Sequence, residues 1–160
     1  MTWRVPRAEY EAGKGAGNRA AFMRRVGTGR PPGILAYLKT QPIGWCAIAP
    51  RSEYEYLARS RVLRPIDGRL VWSISCLLVA RAHRGRGISV QLLRAAVRMA
   101  GDEGAEIVEG YPVIPRAGRM PDVFAWTGTL SAFRAAGFEE VARGSPARPI
   151  MRAYPDRLTR

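Results

Sequence analysis

Lysine is nearly missing from this chain. Only Lys14 and Lys39 stand among 26 basic residues, so arginine carries almost all the positive charge, and 13 acids leave a formal net charge of +13 over 160 residues. Histidine occurs once, at His83, and cysteine twice, at Cys46 and Cys76. One histidine and an isolated cysteine pair give no metal-ligand spacing and no disulfide framework, so buried reduced thiols and no metal are expected. No apolar run approaches the ~20 residues that span a bilayer. Residues 1–7 lack the apolar core of a secretory signal, which points to a cytoplasmic chain without membrane contact. A dense basic block with interleaved aromatics is absent too, since the arginines spread from Arg4 to Arg160. That spread argues against a specific nucleic-acid surface and leaves a basic nucleic-acid-binding domain as an outlying alternative. The Gly-Lys-Ser/Thr of a Walker loop occurs nowhere, and a Rossmann fingerprint would need a third glycine where Val90 stands.

The apolar share of 47 % is that of an ordinary folded domain, and the length suits a single one over residues 1–160. Its organising stretch runs from about residue 71 to residue 100. Residues 71–79 are mostly apolar, as a strand covered on both faces would be. Ile88, Leu92, Leu93, Ala96, Val97 and Ala100 then recur at helical spacing, with Gln91, Arg94 and Arg98 opposite. Between them lies Arg84-Gly85-Arg86-Gly87-Ile88-Ser89. Glycines in such a turn let an anion approach the main chain, and the first N–H groups of a helix attract it. The physical reading is a cradle for a diphosphate; the plainer one is a tight turn with solvated arginines.

Around this unit the chain reads as a mixed α/β domain. A strand ending at residues 2–5 is cut by Pro6, glycine-rich residues 13–17 form a loop, and a short helix covers residues 18–26. Residues 34–38 and 43–49 make a hairpin, and Ser52 caps a helix to residue 59. Residues 105–113 form a strand parallel to the central one, with Pro112 at its end. Residues 115–122 form a loop that either covers a substrate mouth or is a passive excursion. Thr127 or Thr129 caps a helix over residues 130–136, residues 138–143 and 149–154 form a closing hairpin, and residues 155–160 fray. Residues 1–32 form an abbreviated N-terminal region, and its brevity leaves a sheet edge that a second copy could cover as a homodimer.

The glycine turn resembles the Arg/Gln-x-x-Gly-x-Gly/Ala loop of the GCN5-related N-acetyltransferases, with Val79 five residues earlier as the apolar end of the preceding strand and Ala136-Gly137-Phe138 closing the later helix. Ser89 replaces the usual final Gly or Ala. The resemblance covers roughly residues 33–153. It implies a central mixed sheet of about six to seven strands with helices on both faces. It also implies acetyl-CoA as co-substrate, its pyrophosphate on Arg84, Gly85, Arg86, Gly87, Ile88 and Ser89 and its pantetheine paired to the main chain at Leu77, Leu78 and Val79. The activity implied is transfer of an acetyl group to the amine of a small molecule or peptide, by direct attack in a ternary complex.

Among catalytic candidates, Glu109 is the best-placed carboxylate, on the strand expected beside the crevice, and a glutamate paired with arginine is the plainer reading. Many members of the family have a tyrosine four residues before the closing Gly; here Phe133 stands there and has no proton to give. Tyr111 is a possible substitute acid. Phe133 and Arg134 are expected at the cofactor, and Trp45, Trp72 and Trp126 are large enough to line an acceptor pocket. The missing tyrosine keeps a non-catalytic acyl-CoA-binding module open beside the enzyme.

Overall fold

The computed structural model describes residues 2–114 and 126–158. Six strands form one sheet: β1 (Gly33–Leu38), β2 (Gln41–Pro50), β3 (Trp72–Val79), β4 (Val108–Gly110), β5 (Glu139–Ser145) and β6 (Arg148–Ala153), in the spatial order β1-β2-β3-β4-β6-β5. Only β3 and β4 run parallel, joined through helix α4. Among the described residues there are six α-helices: α1 (Arg7–Ala12), α2 (Ala16–Val26), α3 (Glu55–Arg59), α4 (Ile88–Asp102), α5 (Leu130–Ala135) and α6 (Pro155–Leu158).

Helix α4 is the largest single contributor to the core. Its predicted apolar stripe is buried at Leu92, Leu93, Ala96, Val97 and Ala100, against Cys46, Ile48, Ile74, Leu77, Val108 and Met151 of the sheet. Fully burying Leu92, Leu93 or Val97 contributes about 1.5–3 kcal/mol each. Gly44 lets β2 approach the helix, since a Cβ there would lie 2.9 Å from Leu92 Cδ1. The opposite face carries a second cluster: Trp3, Ala49, Tyr54, Leu57, Leu63, Tyr111 and Ile150.

Several boundaries differ from the expected ones, each for a physical reason. Residues 2–5 form turns and not a strand. Pro6 instead precedes α1, and Asn18 lies inside α2 with its amide donating to the Tyr10 carbonyl, joining the two helices. The segment expected as one helix from Ser52 divides into a 3-10 turn at Arg51–Glu53 and the short α3. The strand expected over residues 105–113 shortens to Val108–Gly110, because Pro112 has no N–H to donate. Residues 155–158 are helical and not frayed. Pro155 is buried on Gly101, where a Cβ would stand 2.7 Å from it. Residues 115–122 lie outside the described residues. No helix among the described residues is long and apolar enough to cross a membrane. At the outer edge, β1 exposes Leu35, Tyr37 and Leu38.

Candidate active site

Strands β3 and β4 pair only through Trp72–Val108, Ser73–Glu109 and Ile74–Gly110. Beyond Ile74 they part. The register of β3 on β2 jumps from Ile74 to Cys76 across the adjacent pair Ile48 and Ala47, so Ser75 is an inserted residue, a β-bulge. The bulge breaks the period-two alternation, and Ser75 and Cys76 both face a cavity on the side away from α4. Leu77 is again in the core beside α4.

Where the strands part, a cavity of about 630 Å³ opens; it brings together Leu77, Leu78, Val79, Arg84, Gly85, Gly87, Ile88 and Ser89 with His83, Trp126, Gly128 and Thr129. Gly85 and Gly87 have φ of +72° and +75°, the left-handed conformation that a side chain makes costly. A Cβ on either would meet no protein atom within 4 Å. These two glycines therefore keep open a space that the protein itself leaves clear. Gly87 is also the N-cap of α4, and its carbonyl accepts from Val90 and Gln91. Among the described residues, no backbone acceptor takes the N–H groups of Gly85, Arg86, Gly87, Ile88 or Ser89. Orphan donors at the start of a fifteen-residue helix, in an arginine-rich turn, fit a diphosphate. Arg84 bends back to donate from Nε to the Val79 carbonyl at 3.0 Å, which ties the turn to the end of β3.

The remaining candidates are placed differently. Leu77 donates its N–H to the Trp126 carbonyl at 2.7 Å, so this main-chain donor, expected to pair with a ligand, is already engaged. Arg86 does not line the cavity. Phe133 is fully buried in edge-on contact with Phe138, and a Cβ at Gly110 would lie 1.9 Å from its ring. It is a core residue and does not reach the crevice. Arg134 points to solvent, 3.8 Å from Glu140. Of the tryptophans, Trp126 lines the crevice, Trp45 lines the cavity on the other face, and Trp72 lies at the opposite end of β3. His83 had no signal beyond its neighbourhood to the turn, and Gly128 and Thr129 none at all.

Glu109 and Tyr111 do come together, but not at the crevice. Glu109 is 2 % exposed and faces the other side of the sheet. Arg152 Nε donates to its Oε1 at 3.0 Å, and the Tyr111 hydroxyl donates to its Oε2 at 2.8 Å. Arg51 lies 3.4 Å from the same Oε2 and donates to the Tyr111 oxygen at 2.7 Å, which Ser73 also bonds at 2.8 Å. Arg152 in turn clamps Asp67 with contacts of 2.6 and 3.0 Å. That clamp holds the Asp67 carboxyl down at about 2 against an ordinary 3.8. Burial, with the Glu109 charge beside it, pushes the Tyr111 phenol well above its usual range. A carboxylate with both oxygens committed to cations and a phenol, and a phenol made a weaker acid, are poorly disposed to exchange protons with a substrate. Ser73 and Val79 are also six residues apart, about 20 Å at about 3.3 Å per residue.

Both thiols are free. Burial raises the Cys46 thiol, which is inaccessible, while Cys76 is half-buried at the second cavity. Among the described residues, no three metal-ligating side chains converge.

The description "Acetyltransferase (GNAT) family" matches residues 3–111 of the chain. The chain belongs to the GNAT acetyltransferase family. Solved structures carry the same fold. A ribosomal-protein-alanine N-acetyltransferase from Brucella melitensis superposes with a TM-score of 0.56 at 19 % identity, over 86 % of this chain and 76 % of that one. The acetyltransferase of GNAT family from Streptococcus pneumoniae gives 0.55 at 12 %, over 88 % and 77 %. AAC(6')-Ib in complex with paromomycin and acetyl-CoA gives 0.52 at 19 %, over 79 % and 66 %. No curated protein sequence matches the chain.

Proposed function

We propose that this GNAT protein is an acetyl-CoA-dependent N-acetyltransferase that moves an acetyl group to a primary amine by direct attack in a ternary complex. The observation that carries this reading is the turn between β3 and α4, with its orphan N–H groups, two left-handed glycines and clear space above them. A solved neighbour holding acetyl-CoA is consistent with it. In this reading the N–H groups of Gly85, Gly87, Ile88 and Ser89 hold the pyrophosphate, with positive charge from Arg84 and Arg86 nearby. Leu77, Leu78 and Val79 form the apolar floor along which the pantetheine lies, and its main-chain pairing falls to the Val79 N–H, since the Leu77 N–H is engaged with Trp126 and the Val79 carbonyl with Arg84.

The co-substrate supplies an activated acyl carbon. The amine nitrogen bonds to that carbon as the carbon–sulfur bond breaks, and the proton leaving nitrogen passes through water to the thiolate. The chain contributes chiefly by holding the two reactants together and excluding bulk water, which can supply much of the acceleration. Glu109 and Tyr111 have a holding role: they join β3, β4 and β6 through a closed charge network.

Calorimetry with acetyl-CoA tests this. Wild-type protein is expected to give saturable binding, and Arg84→Glu combined with Gly87→Glu is expected to remove it; equal heats from both proteins reject the reading. The engagement of Glu109 and Tyr111 also favours a second reading, a module that binds acyl-CoA without turning it over. Thiol release across a panel of amines separates the two, since a pure binder releases none.

A further inference from the structure

A second, smaller cavity of about 130 Å³ lies behind β3, on the face away from α4. Five aromatic rings wall it: Trp3, Phe22, Trp45, Tyr54 and Trp126, with Ser75 and Cys76 of the bulge at its base. Trp126 lines both this cavity and the crevice of the glycine turn. Trp126, anchored by its carbonyl to Leu77 and by its ring edge-on to Trp3 at 5.3 Å, therefore borders both spaces. The rings are fixed by one another, as Phe22 packs edge-on to Trp45 at 5.9 Å and Trp3 stacks on Tyr56 at 4.9 Å.

The lining combines aromatic rings with the polar groups of Thr2, Tyr54 and Ser75, which suits a flat aromatic body that carries a polar end. No carboxylate lines it among the described residues, and its one charged wall residue is Arg4. The Arg4 guanidinium is engaged, donating to Glu53 at 2.7 Å and to the Pro32 carbonyl and the hydroxyl of Tyr54, itself a wall residue. Glu53, the nearby acid, is shared with Arg25 and Arg30. A polycation would meet arginine here without an acidic partner, within a chain of net charge +13. At about 130 Å³ the space is close to the ~150 Å³ cavity that takes one benzene ring.

We propose that this cavity is the acceptor subsite and that it selects a small arylalkylamine, its single ring held edge and face by the tryptophans and its amine directed past Trp126 toward the crevice. The proposal rests on the acetyltransferase reading above.

The test is a titration of intrinsic tryptophan fluorescence with 2-phenylethylamine, with spermidine and glycinamide as comparisons, in protein whose acetyl-CoA binding is measured by calorimetry. Saturable change with 2-phenylethylamine, at least about tenfold tighter than with either comparison, is expected. Cys76→Phe fills the cavity and should weaken that binding by at least about tenfold while the acetyl-CoA heat persists. Should that variant fail to fold, the wild type still decides: 2-phenylethylamine should slow iodoacetamide labelling of Cys76, followed by mass spectrometry. Spermidine binding as tightly, unaltered binding in Cys76→Phe, or unaltered labelling of Cys76 each overturns the assignment. Acetyl-CoA heat without a 2-phenylethylamine signal overturns the acceptor alone; no acetyl-CoA heat overturns the transferase reading and the acceptor with it.

Discussion

The two ends of β3 are built on opposite principles. At its start, Ser73 enters a closed network in which Glu109, Tyr111, Arg51, Arg152 and Asp67 satisfy one another. At its far end, Val79 leads into a turn whose main-chain donors have no backbone acceptors among the described residues and whose glycines face open space. Ionisable side chains pair with one another where the structure is shut, and main-chain N–H groups without backbone acceptors among the described residues gather where it is open. The comparison teaches that the groups with the most conspicuous chemistry here serve the fold. The ligand binding proposed above would fall to peptide N–H groups that no side-chain inventory would flag.

The comparison is most directly broken at its closed end. Arg152→Ala leaves Glu109 buried with a single, longer ion pair to Arg51, and denaturant unfolding should show a loss of about 3 kcal/mol or more. A loss under about 1 kcal/mol would mean the network is not a structural unit. At the open end, Gly87→Val forces a branched side chain into the left-handed region over the cradle. Acetyl-CoA affinity by calorimetry should fall about thirtyfold, near 2 kcal/mol, with the helix intact by circular dichroism. Glu109→Gln sharpens the division of roles. It should lower stability by about 1–2 kcal/mol and reduce turnover at saturating substrates by less than about tenfold, whereas a loss of about a thousandfold in a folded variant would restore Glu109 as a base. The smallest effect concerns Asp67, whose carboxyl is held at about 2 by the hydrogen bond from Arg152. A depressed carboxylate lends stability that is complete above its ordinary 3.8 and is lost as pH falls through about 2. Asp67→Asn should therefore flatten the acid limb of stability between those values, followed by thermal melts across that range.

The legible parts of this protein were those written in local periodicity. The helical stripe from Leu92 to Ala100, the Thr129 cap that accepts from Ala132, and the β1–β2 hairpin all stand where the pattern put them. The shortening of the strand at Pro112 follows from a missing N–H, yet how far it retreats depends on where β3 parts from β4. Residues 52–59 read as one helix because propensity is local, whereas the break at Tyr54 is set by burial of its ring, which also pushes the phenol up to about 12. Phe133 was expected at the cofactor from its spacing to Gly137; packing against Gly110 and Phe138 withdrew it.

By itself, the sequence determined the strand, glycine turn and helix that make an anion cradle, since left-handed backbone needs glycine and an amphipathic helix needs only its own spacing. The tertiary structure alone decided which charges are free. Arg152 reaches Glu109 across 43 positions and Asp67 across 85, and no local pattern encodes a pairing that forms only when β3, β4 and β6 lie side by side. The same holds for the bulge at Ser75, which arises from pairing with β2 and turns one strand outward onto a cavity walled by five rings drawn from separate stretches of chain.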